Sequence, residues 1–194
     1  MILAVACVLV PFLGWQQTWF GRRLSDREME RYLGESGRPR QIQHALSQIS
    51  DRIIRGDPAV KRWYPRIEAL SRHPMAPIRT MAAWVMGQDN RSDAFHQALR
   101  PLLNDSDVLV RRNAALALVR FGDAAGRPEL VRILATGDAG QVWEALRALY
   151  LVGQPQDLPE VERSENSNAP ERVRLQAALT ARAIRTRSER IPTR

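Results

Sequence analysis

The sequence predicts an all-α protein in which a pair of helices recurs along most of the chain. The first observation is composition, because 44% of the 194 residues are hydrophobic but only 6% are aromatic, which is typical of alanine- and leucine-rich helices. The second is spacing, because the segment Asp105–Asp123 matches other segments when the chain is shifted by 31 or 32 residues. We therefore expect an α-α superhelix of about four to five helix pairs, preceded by one N-terminal hydrophobic helix.

The clearest copy of the repeat is DSDVLVRRNAALALVRFGD, in which Val110-Arg111 is followed by Ala114-Ala115 and Ala117-Leu118. The equivalent pairs are Ile78-Arg79, Ala82-Ala83 and Val85-Met86 in the preceding copy, Ala145-Leu146 and Ala148-Leu149 in the following copy, and Val173-Arg174 and Ala177-Ala178 in the last. The apolar positions form one helical stripe, and alanines let neighbouring helices approach closely. A single pair could not bury this stripe alone, so the pairs are expected to stack.

Shorter amphipathic segments precede each of these helices, at residues 59–72, 92–103, 127–135 and about 157–163. Turn residues separate the two members of each pair, and Pro128 stands at the first turn of its helix, where no backbone donor is lost. A helix over 40–55 reads as an irregular opening repeat or cap. The repeat domain is therefore predicted to cover residues 40–186, followed by a basic tail over 187–194.

A short helix and a linker are predicted over residues 21–39, ahead of the repeats. Ser25 and Glu28 have the spacing of a capping box, Leu24 precedes them as a hydrophobic staple, and Gly34 is placed to end the helix. The following ESGRPR consists of turn-forming residues and reads as a linker.

The first twenty residues predict a membrane anchor. Residues 2–15 carry no charge, and a helix of about 19 residues would span roughly 28 Å, about one hydrocarbon core. Trp15, Trp19 and Phe20 fall where an interfacial aromatic belt would lie, with Arg22 and Arg23 beyond it. A cleaved signal peptide is disfavoured because a basic start and a small-residue cleavage site are missing. A helix lying in the interface, or docked on a membrane partner, stays open as an alternative.

The arginines suggest an orientation for this anchor. By the positive-inside rule, the arginines after the hydrophobic segment would keep the following domain in the cytoplasm, on the inner face of a bacterial inner membrane. The net charge is +8, and seven of the 29 basic residues lie in 171–194. This tail either keeps the protein soluble or touches anionic lipid on the same side of the membrane. The middle of the chain has little excess charge, so no nucleic acid is expected as a partner.

The pattern of an acidic residue, Val-Arg, Ala-Ala-x-Ala-Leu and a terminal glycine resembles HEAT repeats of the short kind found in phycobilisome-lyase-type and related bacterial proteins. The resemblance covers about residues 40–186 and implies a solenoid whose second helices line the concave face. It also implies a ladder of charged residues between repeats, involving Asp107, Arg111, Arg79 and Arg174. Val142 occupies the arginine position of the third repeat, so the ladder is expected to break there.

HEAT architecture mostly serves protein binding, so we expect a non-catalytic scaffold. Two outward columns follow from the repeat, Thr80, Arg112, Trp143 and Leu175 in one, and Trp84, Leu116, Arg147 and Leu179 in the other. Tryptophan and arginine are favoured anchors of interfaces. The predicted protein-binding residues are Trp84, Arg112, Leu116, Trp143 and Arg147. The alternative is that both tryptophans belong to the core between repeats.

The combination of anchor and scaffold predicts an accessory, assembly or stabilising subunit of a membrane protein complex, with a respiratory or photosynthetic electron-transfer complex as one host. The sequence offers no nucleophile–base pair, no glycine-rich phosphate loop and no cluster of metal ligands, so neither catalysis nor a cofactor is expected. Two alternatives use the same repeat type: a HEAT-like DNA glycosylase, which Trp84 and Trp143 suggest, and a bilin lyase.

Overall fold

The computed structural model describes residues 22–34 and 38–189, and within these ranges every regular element is helical. The chain divides into two compact units, Met1–Arg66 and Ile67–Arg194. The α-helices of the described residues are α1 Asp26–Leu33, α2 Pro39–Ile54, α3 Tyr64–Leu70, α4 Ala76–Met86, α5 Asp93–Leu99, α6 Val108–Arg120, α7 Arg127–Thr136, α8 Ala139–Val152, α9 Leu158–Glu165 and α10 Glu171–Glu189. The all-helical prediction is confirmed.

In the first unit, α1 packs against α2. The predicted capping box at the start of α1 is present: the Glu28 backbone N–H donates to Ser25 Oγ, and the Glu28 carboxylate accepts from the Ser25 N–H at 2.9 Å. Gly34 ends the helix, as predicted. A 3-10 helix, Pro58–Trp63, follows α2, and the Trp63 ring is buried with the Arg52 guanidinium 4.8 Å from its centroid.

In the second unit the helices form two layers, because each turn-linked pair contributes one helix to each layer. The second helices of the pairs make one layer, in which α4 packs against α6, α6 against α8 and α8 against α10. Among the first helices, α7 packs against α9 in the other layer. Three of the 3-10 turns belong to this unit, Arg100–Asn104, Ala124–Gly126 and Pro155–Asp157. The predicted repeat of paired helices is confirmed.

The core of this unit lies between the layers and uses the small residues that define the repeat. Ala114, Ala115 and Leu118 of α6 are fully buried, as are Leu146 and Leu149 of α8. Asp107 and Asp138 occupy equivalent positions and cap these helices by accepting from the first backbone N–H groups. The period of the sequence therefore reports both the burial and the helix starts.

The glycines at the ends of α6 and α8 match in sequence but meet different requirements. Gly122 has φ +73°, in the left-handed region that favours glycine, and a Cβ there would have open space around it. Gly153 has φ −61°, but a Cβ there would lie 2.5 Å from the Leu149 carbonyl oxygen and 2.7 Å from Ile184 Cδ1. Glycine is favoured at position 122 because of the backbone conformation, and at position 153 because a side chain would clash with its neighbours.

Several predicted segments fall partly or wholly outside the described residues. The anchor over 1–20 and the end of the tail at 190–194 lie outside them, as do residues 35–37 of the linker. The predicted boundary at 186 falls within α10, which continues to Glu189. None of the described helices has the length and apolar character that a membrane crossing requires.

Candidate functional site

The five residues predicted to bind a protein line one groove in the second unit. The groove runs across α4, α6 and α8 and has a volume of about 410 Å³. Trp84 comes from α4, Arg112 and Leu116 from α6, and Trp143 and Arg147 from α8. They meet because residues 31 or 32 apart occupy equivalent places on neighbouring helices of one layer.

Both tryptophans present surface to solvent. Trp84 is 39% exposed, whereas Trp143 is half-buried and packs against the core of the unit. The Arg147 guanidinium lies 4.8 Å from the centroid of the Trp143 ring, within the range of a cation–π contact. The structure therefore places the two tryptophans at the groove wall rather than inside the buried core.

A salt bridge joins the two helices that form most of the groove. Arg112 Nη2 of α6 pairs with Glu144 Oε2 of α8, and the arginine side chain is 21% exposed. The buried Nε of Arg112 has no hydrogen-bond partner in the described part of the chain. This pair fixes Arg112 between two repeats, so its guanidinium is positioned before any partner arrives.

The charge of the groove is positive. Its lining includes Arg112, Arg120 and Arg147, against Glu144 as the acidic member, and Arg120 Nη1 donates to the Gly87 carbonyl at 3.2 Å. Glu144 is paired with Arg112, so the excess positive charge of the lining comes from Arg120 and Arg147.

A second groove of about 380 Å³ lies beside the first and shares Trp84 and Asn113 with it. Met81 and Leu109 give it an apolar lining, and Leu109 is 47% exposed. Sequence reasoning missed Met81, Asn113 and Glu144. These three are themselves equivalent positions, one residue after the Thr80 column, so the same period could have identified them.

The apolar surface continues along the second helices beyond the first groove. Leu151 of α8 lines the first groove and is 61% exposed, and beyond it Leu175 and Leu179 of α10 are 58% and 54% exposed. Both α10 leucines belong to the predicted outward columns. Neither leucine is among the groove's lining residues, so the structure does not bring them together with Trp84 and Trp143.

The ladder implied by the repeat pattern exists, but its first rung, meaning one arginine with the carboxylate that it pairs with, uses an aspartate other than Asp107. Arg79 forms a bidentate pair with Asp105, with distances of 2.7 and 2.8 Å, and donates to the carbonyls of His73 and Pro74. The expectation that Asp107 is the rung is wrong, because its carboxylate accepts from the N–H groups of Leu109 and Val110 at the start of α6. The Arg79 guanidinium holds the pKa of Asp105 below its usual value.

Arg111 forms the next rung. It donates to the carbonyls of Asp105 and Ser106 at 2.7 and 2.9 Å, and its Nε lies 3.4 Å from Glu129 of α7. The expected break at Val142 is present, since this side chain is buried and apolar. Arg174, expected to extend the ladder, is exposed.

Of the predicted membrane-interface residues, Trp15, Trp19 and Phe20 lie outside the described residues, whereas Arg22 and Arg23 lie within them and are exposed. Arg22 pairs with Glu28. Hydrogen bonds from the Ser25 backbone and hydroxyl, together with Arg22, lower the pKa of Glu28 to about 2. In the described ranges no group of three His, Cys, Asp or Glu residues could hold a metal ion.

Comparison with known proteins gives one relative in sequence and one similarity in fold. Over 147 residues the chain is 29% identical to a HEAT repeat-containing taxis protein of Halobacterium salinarum, covering 72% of this chain but 36% of that protein. The chain thus spans about a third of the length of that relative. The fold is also similar to the crystal structure of an engineered protein, with a TM-score of 0.59 and 16% identity, covering 82% of this chain and 78% of that one.

A family model described as HEAT repeats matches residues 65–149 and 97–182, which together cover more than half of the chain. These matches span the helix pairs from α3–α4 to α9–α10 and both rungs of the ladder. The chain therefore belongs to the HEAT-repeat family.

Proposed function

We propose that this HEAT-repeat protein is a non-catalytic scaffold that docks on a membrane protein complex through the groove of α4, α6 and α8. The observation that carries the proposal is the grouping of two exposed or half-exposed tryptophans with two arginines in one positively charged groove. Buried aromatic anchors with arginine are the residues that most often dominate binding energy at interfaces. The shape and charge suit a partner segment with an apolar anchor and acidic neighbours.

The membrane part of the proposal rests on the sequence of residues 1–20, which lie outside the described residues. The uncharged run, the aromatic residues behind it and the arginines that follow support an anchor with the repeats on the cytoplasmic side. A scaffold tethered in this way would act as an accessory, assembly or stabilising subunit, with an electron-transfer complex as one host. The basic C-terminal segment would contact anionic lipid.

A second candidate is an adaptor in a taxis signalling system. It is favoured by the name of the Halobacterium salinarum relative, which is a taxis protein. Both candidates use the same groove for protein contacts and differ in the partner. The identity of the proteins bound through the groove therefore distinguishes them.

The test is co-purification of the full chain from its native membranes in mild detergent. We expect defined membrane subunits to co-purify with the wild-type chain, and Trp84→Ala with Trp143→Ala to weaken their binding about 30-fold or more, the effect of losing interface hot spots. Tyr150→Ala is the matched control, because Tyr150 is a 45% exposed aromatic residue of α8 that does not line the groove. It should bind like the wild type.

Three results would overturn the proposal. The chain could elute alone and monodisperse while the membrane proteins wash away, or the double tryptophan variant could retain every partner. Global unfolding of that variant would show that the tryptophans serve the core. Tight, salt-sensitive binding to duplex DNA would favour the nucleic-acid alternative instead.

A further inference from the structure

A cavity of about 590 Å³ lies where the ladder is interrupted, between the third and fourth helix pairs of the second unit. Its lining includes Gly137 at the end of α7, Val142 from the first turn of α8, Glu160, Arg163 and Ser164 from α9, and Asn168 from the following loop. This cavity is separate from the groove with the two tryptophans. No residue lines both.

The preceding repeat shows what normally fills this place. Arg111 sits at the start of α6, donates to two loop carbonyls and approaches Glu129 on the next first helix. Glu129 also pairs with Arg132, one turn further along α7. One carboxylate therefore serves two arginines, and one of them, Arg111, is only 17% exposed.

One repeat further along the chain, the acceptor of this arrangement is kept but the donor is missing. A shift of 31 residues carries Glu129 to Glu160 and Arg132 to Arg163, and the Glu160–Arg163 pair is present. The same shift carries Arg111 to Val142, whose side chain lines the cavity but brings no charge to it. The Glu160 side chain is 29% exposed, compared with 8% for Glu129.

From this comparison we propose that the cavity binds the guanidinium of an arginine side chain from a partner polypeptide. The incoming guanidinium takes the place that Arg111 occupies one repeat earlier and contacts Glu160. The aliphatic walls, which include Leu134, Val142 and Val173, pack against the methylene stem of the arginine. The partner's arginine thereby completes the rung that this repeat does not complete within the chain.

Arginine suits this site better than lysine. The planar guanidinium can donate to a carboxylate and to neighbouring oxygen acceptors at once, as Arg79 and Arg111 do in the two complete rungs. Ser164, Ser167 and Asn168 add neutral oxygen acceptors around the same cavity. An ammonium is a single point charge and would leave part of this set unused.

The test is titration of the full chain in detergent with N-acetyl-L-arginine methylamide, followed by the backbone amide resonances of Gly137, Val142 and Ser164. Saturable shifts are expected, with weaker binding for the lysine analogue. The citrulline analogue, which has nearly the same shape but no charge, should produce no saturable shift. Glu160→Gln should weaken arginine binding about tenfold or more, because a charge-assisted hydrogen bond is lost.

Glu162→Gln is the matched control, because Glu162 is on the same helix and pairs with Arg185 instead. It should bind the arginine probe like the wild type. Val142→Arg restores the rung within the chain, so it should raise the melting temperature and abolish probe binding. Equal shifts with citrulline, unchanged affinity in Glu160→Gln or a linear, non-saturating titration would each overturn the proposal, and these readouts decide it even if Val142→Arg does not fold. The tryptophan variants of the groove should leave probe binding intact, so the two proposals fail independently.

Discussion

The close approach of α4 and α6 makes a sharp prediction for Gly87, the residue that follows α4. Gly87 has ordinary right-handed backbone angles, so alanine carries no conformational penalty there. However, a Cβ at Gly87 would lie 2.8 Å from Ala117 Cβ and 3.1 Å from Ala117 Cα. Carbon atoms pack best at about 3.5–4.0 Å, so the helices must separate by roughly 0.5–1 Å to admit one methyl group.

The size of the effect follows from two opposing terms. Overpacking of this kind costs about 1–3 kcal/mol, and the loss of chain freedom in the unfolded state returns about 0.4–1 kcal/mol. We therefore expect Gly87→Ala to lower the free energy of unfolding by about 1–2 kcal/mol. For a chain of this size the melting temperature should fall by about 2–8 °C. Urea denaturation followed by circular dichroism measures the change directly.

The same geometry supplies a rescue and a control. Ala117→Gly removes the atom at 2.8 Å, so the double variant should be more stable than the sum of the two single effects by about 0.5 kcal/mol or more. Gly140→Ala is the control, because its Cβ would meet only the Asp138 carboxylate oxygen, at 3.2 Å. Its stability should equal that of the wild type or exceed it by up to about 1 kcal/mol, because the unfolded chain loses freedom and no helix is displaced. A Gly87→Ala variant as stable as the wild type would refute the argument.

Two further predictions concern titratable groups. Asp105→Asn should destabilise the protein by about 1–3 kcal/mol at neutral pH, because Arg79 loses a charged acceptor. Since Arg79 lowers the pKa of Asp105, the stability difference between wild type and variant should shrink as the pH falls below about 4. A stability difference that does not change with pH would contradict this prediction. Burial and the charge of Arg22 lower the pKa of His44, so protonation favours the unfolded chain and stability should fall as the pH drops below about 6.5. His44→Gln should reduce this loss of stability, measured by urea unfolding at pH 7.5 and pH 5. An equal loss in the wild type and the variant would argue against a buried neutral imidazole.

The repeat was predictable because its signals are local and occur several times. Each helix start depends on an aspartate and the backbone N–H groups two and three residues later, as Asp107 and Asp138 show. The pattern of one copy therefore predicts the helix start in another. The groove followed from the same period, because residues 31 apart meet on neighbouring helices. Met81, Asn113 and Glu144 were missed because they are polar or flexible side chains without an aromatic signal, although their spacing is the same.

The rung between repeats was not predictable in detail. Asp105 and Asp107 are two residues apart in one loop, and either could have faced Arg79. The choice depends on where α6 begins, because the aspartate next to the helix is used by its N–H groups and leaves the other for the arginine. The shift from Asp105 in one rung to Glu129 in the next likewise depends on tertiary distance, which sequence spacing does not report.

The contrast between Gly122 and Gly153 bears on how such arrays can be lengthened or shortened. An array built by copying the second pair would place a left-handed turn after every second helix, whereas one built from the third would require an extended exit beneath an isoleucine like Ile184. The backbone leaves α6 and α8 with different torsion angles at Gly122 and Gly153, so copies of the two pairs cannot be joined with one common turn geometry. Consensus averaging would retain glycine at this position and conceal the incompatibility, and deletion of a whole pair would have to respect which exit it removes.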